Sequence, residues 1–263
     1  MTTTLLGAPE ARALVSLARQ AQEAILAVYE RPLDPGVDVA MKADNSPLTA
    51  ADRASHQVLA SGLTRLFPGI PLISEEADLP SYDARRAWDC FWLIDPLDGT
   101  KNFLRRNGEF VVNIALIQGQ LPVFGLICAP TEDTTHYGFV GGGCYRQQGD
   151  AQPLALTPRA FPESGPVRVL GSGDDVRRGP ALDVWKAQGR IIERLKIGSA
   201  LKFCRLVDGA ADAYVRSGPT MEWDIAAGHA MALACGKTLL SAPDGGPFLY
   251  NKPSLLNPGF TCY

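Results

Sequence analysis

Two carboxylates three positions apart close an apolar run in the segment Trp92-Leu93-Ile94-Asp95-Pro96-Leu97-Asp98-Gly99-Thr100-Lys101-Asn102-Phe103. The run predicts a strand that delivers Asp95 to its C-terminal end. Pro96, which lacks a ladder donor, is expected to break that strand. Asp98 then sits in a turn that can aim both acids at one point, with Gly99 relieving the backbone and Thr100 opening a short helix. The amides of Gly99 and Thr100 would lie at that helix N-terminus, where an anion is favoured. Two unit charges 4 Å apart repel by about 4 kcal/mol at an effective dielectric of about 20. Converging acids beside an anion cradle therefore make chemical sense if divalent cations lie between them, and ligation by oxygen alone suits Mg²⁺. Taken alone, the spacing also fits an ordinary strand-end turn.

Further acids stand at similar places. Ile73-Ser74-Glu75-Glu76 puts two at the end of another short apolar run, where a solvated surface pair is the plain alternative. Thr49-Ala50-Ala51-Asp52 reads as a capping box, in which Thr49 caps a helix and Asp52 answers from the third helical position. The same Asp52 is also a carboxylate at a helix mouth, able to orient water, and both readings can hold together. Glu222-Trp223-Asp224 opens an apolar helix in which Asp224 has the type of an N-cap. The Ala226-Ala227-Gly228 run lets that helix approach another backbone closely.

The elements that must position these acids follow from periodicity. Leu14, Leu17, Ala18, Ala21, Ile25 and Val28 fall near a 3.6 period and predict an amphipathic helix over 9–30, stopped by Pro32, Pro35 and Gly36. A second helix is expected from Thr49 to Phe67. The period then changes, and 71–74, 91–94, 110–117 and 121–128 read as strands, with hairpins at Gln118-Gly119-Gln120 and within 135–147. A Pro- and Gly-rich stretch over 150–166 suggests a boundary: an N-terminal α+β lobe over 1–158 and a C-terminal α/β lobe over 159–263. In the second lobe, strands at 167–170, 190–197 and 211–215 alternate with helices at 180–188, 199–208 and 224–235, the pattern of an α/β layer.

Composition narrows the function classes. The chain has 263 residues, net charge −3, 46% hydrophobic and 20% charged residues, which excludes disorder, collagen and coiled coil. The balance argues against a surface for a nucleic acid polymer. Glu10, Arg12, Arg19 and Glu23 interrupt any signal-peptide pattern, and no run reaches transmembrane length. Cysteines at 90, 128, 144, 204, 235 and 262 lack zinc spacing and read as buried thiols. His56, His136 and His229 stand far apart in the chain, so a metal is expected on oxygen ligands.

Together, "SPLTAAD" (46–52), "ISEE" (73–76), "WLIDPLDGTKNF" (92–103) and "WDIAAG" (223–228) resemble the inositol monophosphatase-like superfamily of Mg²⁺-dependent, lithium-sensitive phosphatases, over nearly the whole chain. Within it, Lys101, "RRNGEFVVNIALI" (105–117), "GSALKFC" (198–204), "ADAYVRSGPTMEWDIAAGHA" (211–230) and "SLLNPGF" (254–260) are similar to the branch of 3′(2′),5′-bisphosphate nucleotidases. Inositol phosphatases usually carry Thr at the position of Lys101. Asn102 and Ala200 depart from the branch, which more often has Glu and Ser there.

The resemblance implies a layered α/β/α/β/α sandwich with the site between two lobes. It implies two or three Mg²⁺ ions, the first on Glu75, Asp95 and the carbonyl of Leu97, the second on Asp95, Asp98 and Asp224. It assigns Asp52 and Thr100, beside Glu75, to activating the attacking water. It assigns the amides of Gly99 and Thr100 to the phosphate, with Glu75, Leu97, Asp98 and Asp224 also lining the substrate, and Ser199, Lys202 and Arg216 to the nucleotide; by residue type alone, Lys202 and Arg216 are equally surface cations. The implied reaction converts adenosine 3′,5′-bisphosphate to AMP and phosphate, in a cytoplasmic monomer or homodimer with or without peripheral contact to the inner membrane. An inositol-1-phosphate or sugar-bisphosphate phosphatase is the alternative with the same metals, and a non-catalytic phosphate or nucleotide sensor is a third class.

Overall fold

The computed structural model describes residues 6–32, 39–41, 47–157, 159–171, 180–242 and 244–263. The expected breakers Pro35 and Gly36, and Ser46 of the first motif, lie outside the described residues. The helices are α1 (Ala8–Tyr29), α2 (Ala50–Leu66), α3 (Tyr82–Arg85), α4 (Thr100–Leu104), α5 (Pro180–Ala187), α6 (Leu201–Val207) and α7 (Glu222–Ala234). A short ribbon joins β1 (Val39–Met41) to β2 (Pro47–Thr49). The large sheet runs β3 (Leu72–Ser74), β4 (Cys90–Asp98), β5 (Val111–Gln118), β6 (Leu121–Ala129), β7 (Thr134–Phe139), β8 (Gly143–Gln148) and β9 (Leu154–Ala155) in chain order. Within it only β3 and β4 pair in parallel.

The second sheet contains β10 (Val167–Gly171), β11 (Ile192–Lys196), β12 (Ala213–Arg216), β14 (Leu239–Ser241) and β16 (Phe260–Cys262), in the order β11-β10-β12-β16-β14. The ribbon of β13 (Thr220–Met221) with β15 (Leu256–Asn257) leads into α7. The last, antiparallel strands β14 and β16 were not expected from the sequence; they are short and lie next to one another only through the tertiary fold.

Period-two alternation builds the layers. On β4, Trp92 and Ile94 enter the core under α1 and α2, while Phe91 and Leu93 enter the core shared with α6, α7 and the second sheet. The six apolar residues that predict α1 are all buried there. Beyond the second sheet, Leu182 and Trp185 of α5 cover Val167, Val169, Ala213 and Val215. The result is the expected α/β/α/β/α sandwich.

The structure moves two local expectations. Pro96 does not end β4: a bulge between Asp95 and Asp98 lifts Pro96 and Leu97 out of the ladder, and Asp98 resumes pairing with Val111. The N-cap of α7 is Met221, not Asp224, which stands at the third helical position and accepts the Met221 amide at 2.8 Å. No helix among the described residues is long and apolar enough to cross a membrane. All the cysteines are free; Cys90 is half-buried and the others are buried.

Candidate active site

The site begins at the end of β4. Asp95 is 1% exposed and accepts the Leu97 amide at 3.0 Å, so the bulge that displaces Leu97 also fixes the carboxylate. β3 runs parallel beside β4 and ends at Ser74, and Glu75 follows with its amide on the Ile94 carbonyl at 3.3 Å. α7 brings Asp224 from across the molecule. Among the described residues, Glu75, Asp95 and Asp224 form a group whose ligand atoms lie within 4.8 Å of one another. The acids that the sequence spreads over 75–224 thus meet at one place.

Asp98 stands beside them, its Oδ2 accepting the Ala200 amide at 2.5 Å. This bond ties the bulge to the turn before α6. The same turn is held by Gly198, whose amide donates to Glu109 at 2.8 Å. Gly99 has φ +98°, and a Cβ there would lie 2.8 Å from the Glu109 carbonyl oxygen, so the position accepts only glycine. Asn102 donates to that carbonyl at 3.1 Å and accepts from Asn107, which explains what a departure from the nucleotidase branch does here.

Asp52 completes the helix cap that the sequence predicts, and its second oxygen is turned to Thr100. Its Oδ2 accepts the Thr49 amide at 2.8 Å and the Thr49 hydroxyl, completing the capping box of α2. Its Oδ1 accepts the Thr100 hydroxyl at 3.2 Å. Thr100 Oγ1 also lies 3.4 Å from the Leu97 carbonyl oxygen. One buried carboxylate therefore fixes a helix start and a hydroxyl at the edge of the acid group.

The surface-cation alternative fails for Lys202. It is 3% exposed, donates to the Ser199 carbonyl at 2.8 Å and lies 5.4 Å from the Tyr214 ring centre. Arg216, at the end of β12, is half-buried, and its charge acts on Asp98 and Asp224. Ser199 has φ +46°, and its Cβ is 3.3 Å from where a Cβ on Gly99 would stand, so this turn crosses close to the Gly99 loop. Tyr214 and Glu109 carried no sequence signal as site residues.

Electrostatics explain what the arrangement needs. Burial, with the charges of Glu75, Asp98 and Asp224, holds the Asp95 carboxyl well above the usual range. Burial does the same to Asp224, with Asp98 and Glu75 adding to it. Asp98 is raised to about 6 by burial, against the opposing pull of Lys202 and the Ala200 amide. Crowded, dehydrated acids of this kind favour protons or cations over their own charges. The donor set fits divalent cations: carboxylate oxygens of Glu75, Asp95, Asp98 and Asp224, with the Leu97 carbonyl alongside.

A family model described as "Inositol monophosphatase family" matches residues 8–259. The chain belongs to the inositol monophosphatase family. Family enzymes are generally metal-dependent, in keeping with the acid group. The chain is 42% identical to the 3′(2′),5′-bisphosphate nucleotidase CysQ of Shigella flexneri, over 93% of this chain and 95% of that protein. The crystal structure of CysQ from Bacteroides thetaiotaomicron superposes with a TM-score of 0.81 at 37% identity, covering 98% of each chain. Inositol monophosphatase II of Staphylococcus aureus shares the fold, with a TM-score of 0.74 at 20% identity over 97% of this chain and 91% of that one.

Proposed function

We propose that the chain is a Mg²⁺-dependent phosphomonoesterase that removes the 3′-phosphate of adenosine 3′,5′-bisphosphate, giving AMP and phosphate. It acts in the cytoplasm, as a monomer or homodimer, with an N-terminal lobe over 1–158 and a C-terminal lobe over 159–263. The observation that carries the substrate assignment is the burial of Lys202, with Arg216, beside the acid group. A substrate with one phosphate at the acids and a second several ångströms away needs fixed cations for the second. The naming of relatives more than 40% identical as bisphosphate nucleotidases supports the same reading.

Glu75, Asp95 and the Leu97 carbonyl would hold a first ion, and Asp95, Asp98 and Asp224 a second. When bound, such ions acidify water and offset phosphate charge. The chain's own residues do the rest. Thr100 donates its hydroxyl proton to Asp52, which leaves its oxygen turned to accept a proton from the attacking water. Asp52 is the acceptor at the end of that path. First-turn amides of a helix lack intrahelical acceptors, so Gly99 and Thr100 can donate to a phosphate oxygen. Ser199, Lys202 and Arg216 would line the nucleotide side. Arg216 is suited to bidentate pairing with the 5′-phosphate.

Phosphate release from adenosine 3′,5′-bisphosphate, inositol 1-phosphate and fructose 1,6-bisphosphate, with and without lithium, tests the reading. The bisphosphate nucleotide should be preferred. Lys202→Met and Arg216→Ala should each raise its KM by roughly ten- to a hundred-fold, on the scale of one charge-assisted phosphate bond. Asp95→Asn and Asp224→Asn should abolish turnover while the fold survives. Indifference of KM to both cation changes would move the assignment to an inositol or sugar phosphatase. No phosphate released from any of the three would leave a binding protein.

A further inference from the structure

Asn113 is fully buried on β5, and among the described residues neither its Nδ2 nor its Oδ1 has a hydrogen-bond partner. A buried carboxamide idle at both ends calls for a ligand or a purpose. Its position supplies one. Asn113 pairs in register with Asp95 on one side and Ile127 on the other, and Ile127 pairs with His136. Partners across antiparallel strands point to the same face, with Cβ atoms about 4.5–5.5 Å apart. Along β5, Val111 and Ala115 share that face, and both belong to the core under α6 and α7. Asn113 therefore points to the side of the sheet on which Asp95 meets Asp224.

The path of α7 sharpens this. A Cβ on Gly125 would lie 2.0 Å from the Ala227 carbonyl oxygen, so α7 rests its backbone on the row Leu93–Ala115–Gly125. Asp224 comes almost one helical turn earlier and reaches the next row, that of Asp95 and Asn113, as the three-acid group requires. Asn113 is the cross-strand neighbour of Asp95 on the face that α7 covers, and no hydrogen bond joins the two side chains in the structure.

We propose that Asn113 is a positioning residue of the metal centre, donating its side-chain N–H to Asp95 when cations occupy the site. The inference rests on the metal reading above. Outer-shell donors of this type fix the direction of a ligand's lone pairs, and their loss commonly lowers metal affinity 10- to 100-fold. Asn113 would thus hold Asp95 without itself being a ligand.

Mn²⁺ titration followed by electron paramagnetic resonance, together with thermal unfolding in chelator, tests this on wild type, Asn113→Leu, Asn113→Thr and Asp224→Asn. Asn113→Leu keeps the branching and the number of heavy atoms and removes an unpaired polar group. Its melting temperature in chelator should equal or exceed that of wild type, while its Mn²⁺ affinity falls about 10- to 100-fold. Asn113→Thr, which keeps a donor, should recover part of that loss. A stable variant with weaker metal binding is a combination that a purely structural residue does not give. Affinity of Asn113→Leu within about twofold of wild type would overturn the proposal, as would a parallel fall of affinity and chelated melting temperature. Should Asn113→Leu fail to fold, Asn113→Ala takes its place under the same two criteria. If wild type and Asp224→Asn bind Mn²⁺ equally poorly, the metal reading itself fails, independently of Asn113.

Discussion

Asp52 serves two tasks with two oxygens, and the tasks can be separated by substitution. Asparagine at 52 keeps an acceptor for the Thr49 amide but loses the charge that takes a proton from Thr100. Asp52→Asn should therefore melt within a few degrees of wild type while kcat falls roughly 10²- to 10⁴-fold, the usual worth of a general base. Thr49→Val removes the cap hydroxyl, which accepts the Ala51 and Asp52 amides. It should lose about 1 kcal/mol of stability with a much smaller effect on kcat. Urea unfolding and steady-state kinetics on both variants check the division. An equal kcat loss in the two would mean that Asp52 acts only through the helix start.

At the scale of elements, α7 is the part on which the site depends most. Its first turn is locked by Glu222, which is fully buried and accepts the Asn251 amide at 2.8 Å, the Lys252 amide at 3.2 Å and Lys252 Nζ at 2.5 Å. Asn251 in turn accepts from Arg85 at 2.7 Å and donates to its carbonyl at 2.9 Å, so α3, which follows Glu75 in the chain, and the helix carrying Asp224 share one buried network. Glu222→Ala leaves two amides without their acceptor and takes the counter-charge from Lys252, and should cost roughly 3 kcal/mol in urea unfolding. Gly125→Ala should cost about 1–3 kcal/mol by pushing α7 off the sheet, and should weaken divalent-ion binding because Asp224 moves with it. His229, also on α7, donates to or accepts from Tyr250 at 3.0 Å, and burial lowers its pKa to about 4. The unfolded chain, with an ordinary value near 6.5, takes up that proton first as the pH falls. The contribution of neutral His229 is thus complete above about pH 6.5 and is lost toward pH 4, up to about 3 kcal/mol in all. His229→Gln, compared with wild type by urea unfolding in chelator at pH 7 and pH 4.5, should remove that part of the acid destabilisation. An unchanged difference between the two pH values would refute it.

For the whole molecule, the acid group is a joint between the large sheet and the helix layer behind it. Glu75, Asp95 and Asp98 come from the first, Asp224 from the second, and Asp98 also reaches across to Ala200. Cations that bind only the assembled joint stabilise the fold, by about 2.7 kcal/mol at a hundred times the dissociation constant. Excess Mg²⁺ should therefore raise the melting temperature above that in chelator, and Asp224→Asn should lose most of the difference. Equal melting temperatures for wild type in the two conditions would count against a cation at this joint.

The sequence by itself determined the period of each long element, the acids, and the residue types that flank them. α1, α2 and the strands 90–129 follow from runs whose apolar spacing has one solution, and Thr49 with Asp52 announces its helix start locally. The convergence of the acids was legible only through family resemblance, because no local rule links residue 75 to residue 224. Tertiary structure decided what depends on distant backbone. It decided that Pro96 lies in a bulge rather than at a strand end, because Val111 is there to pair with Asp98. It buried Lys202, since the Tyr214 ring that its ammonium faces comes from β12. It also set Asn113 opposite Asp95, because register, which no single strand specifies, chooses the cross-strand neighbour.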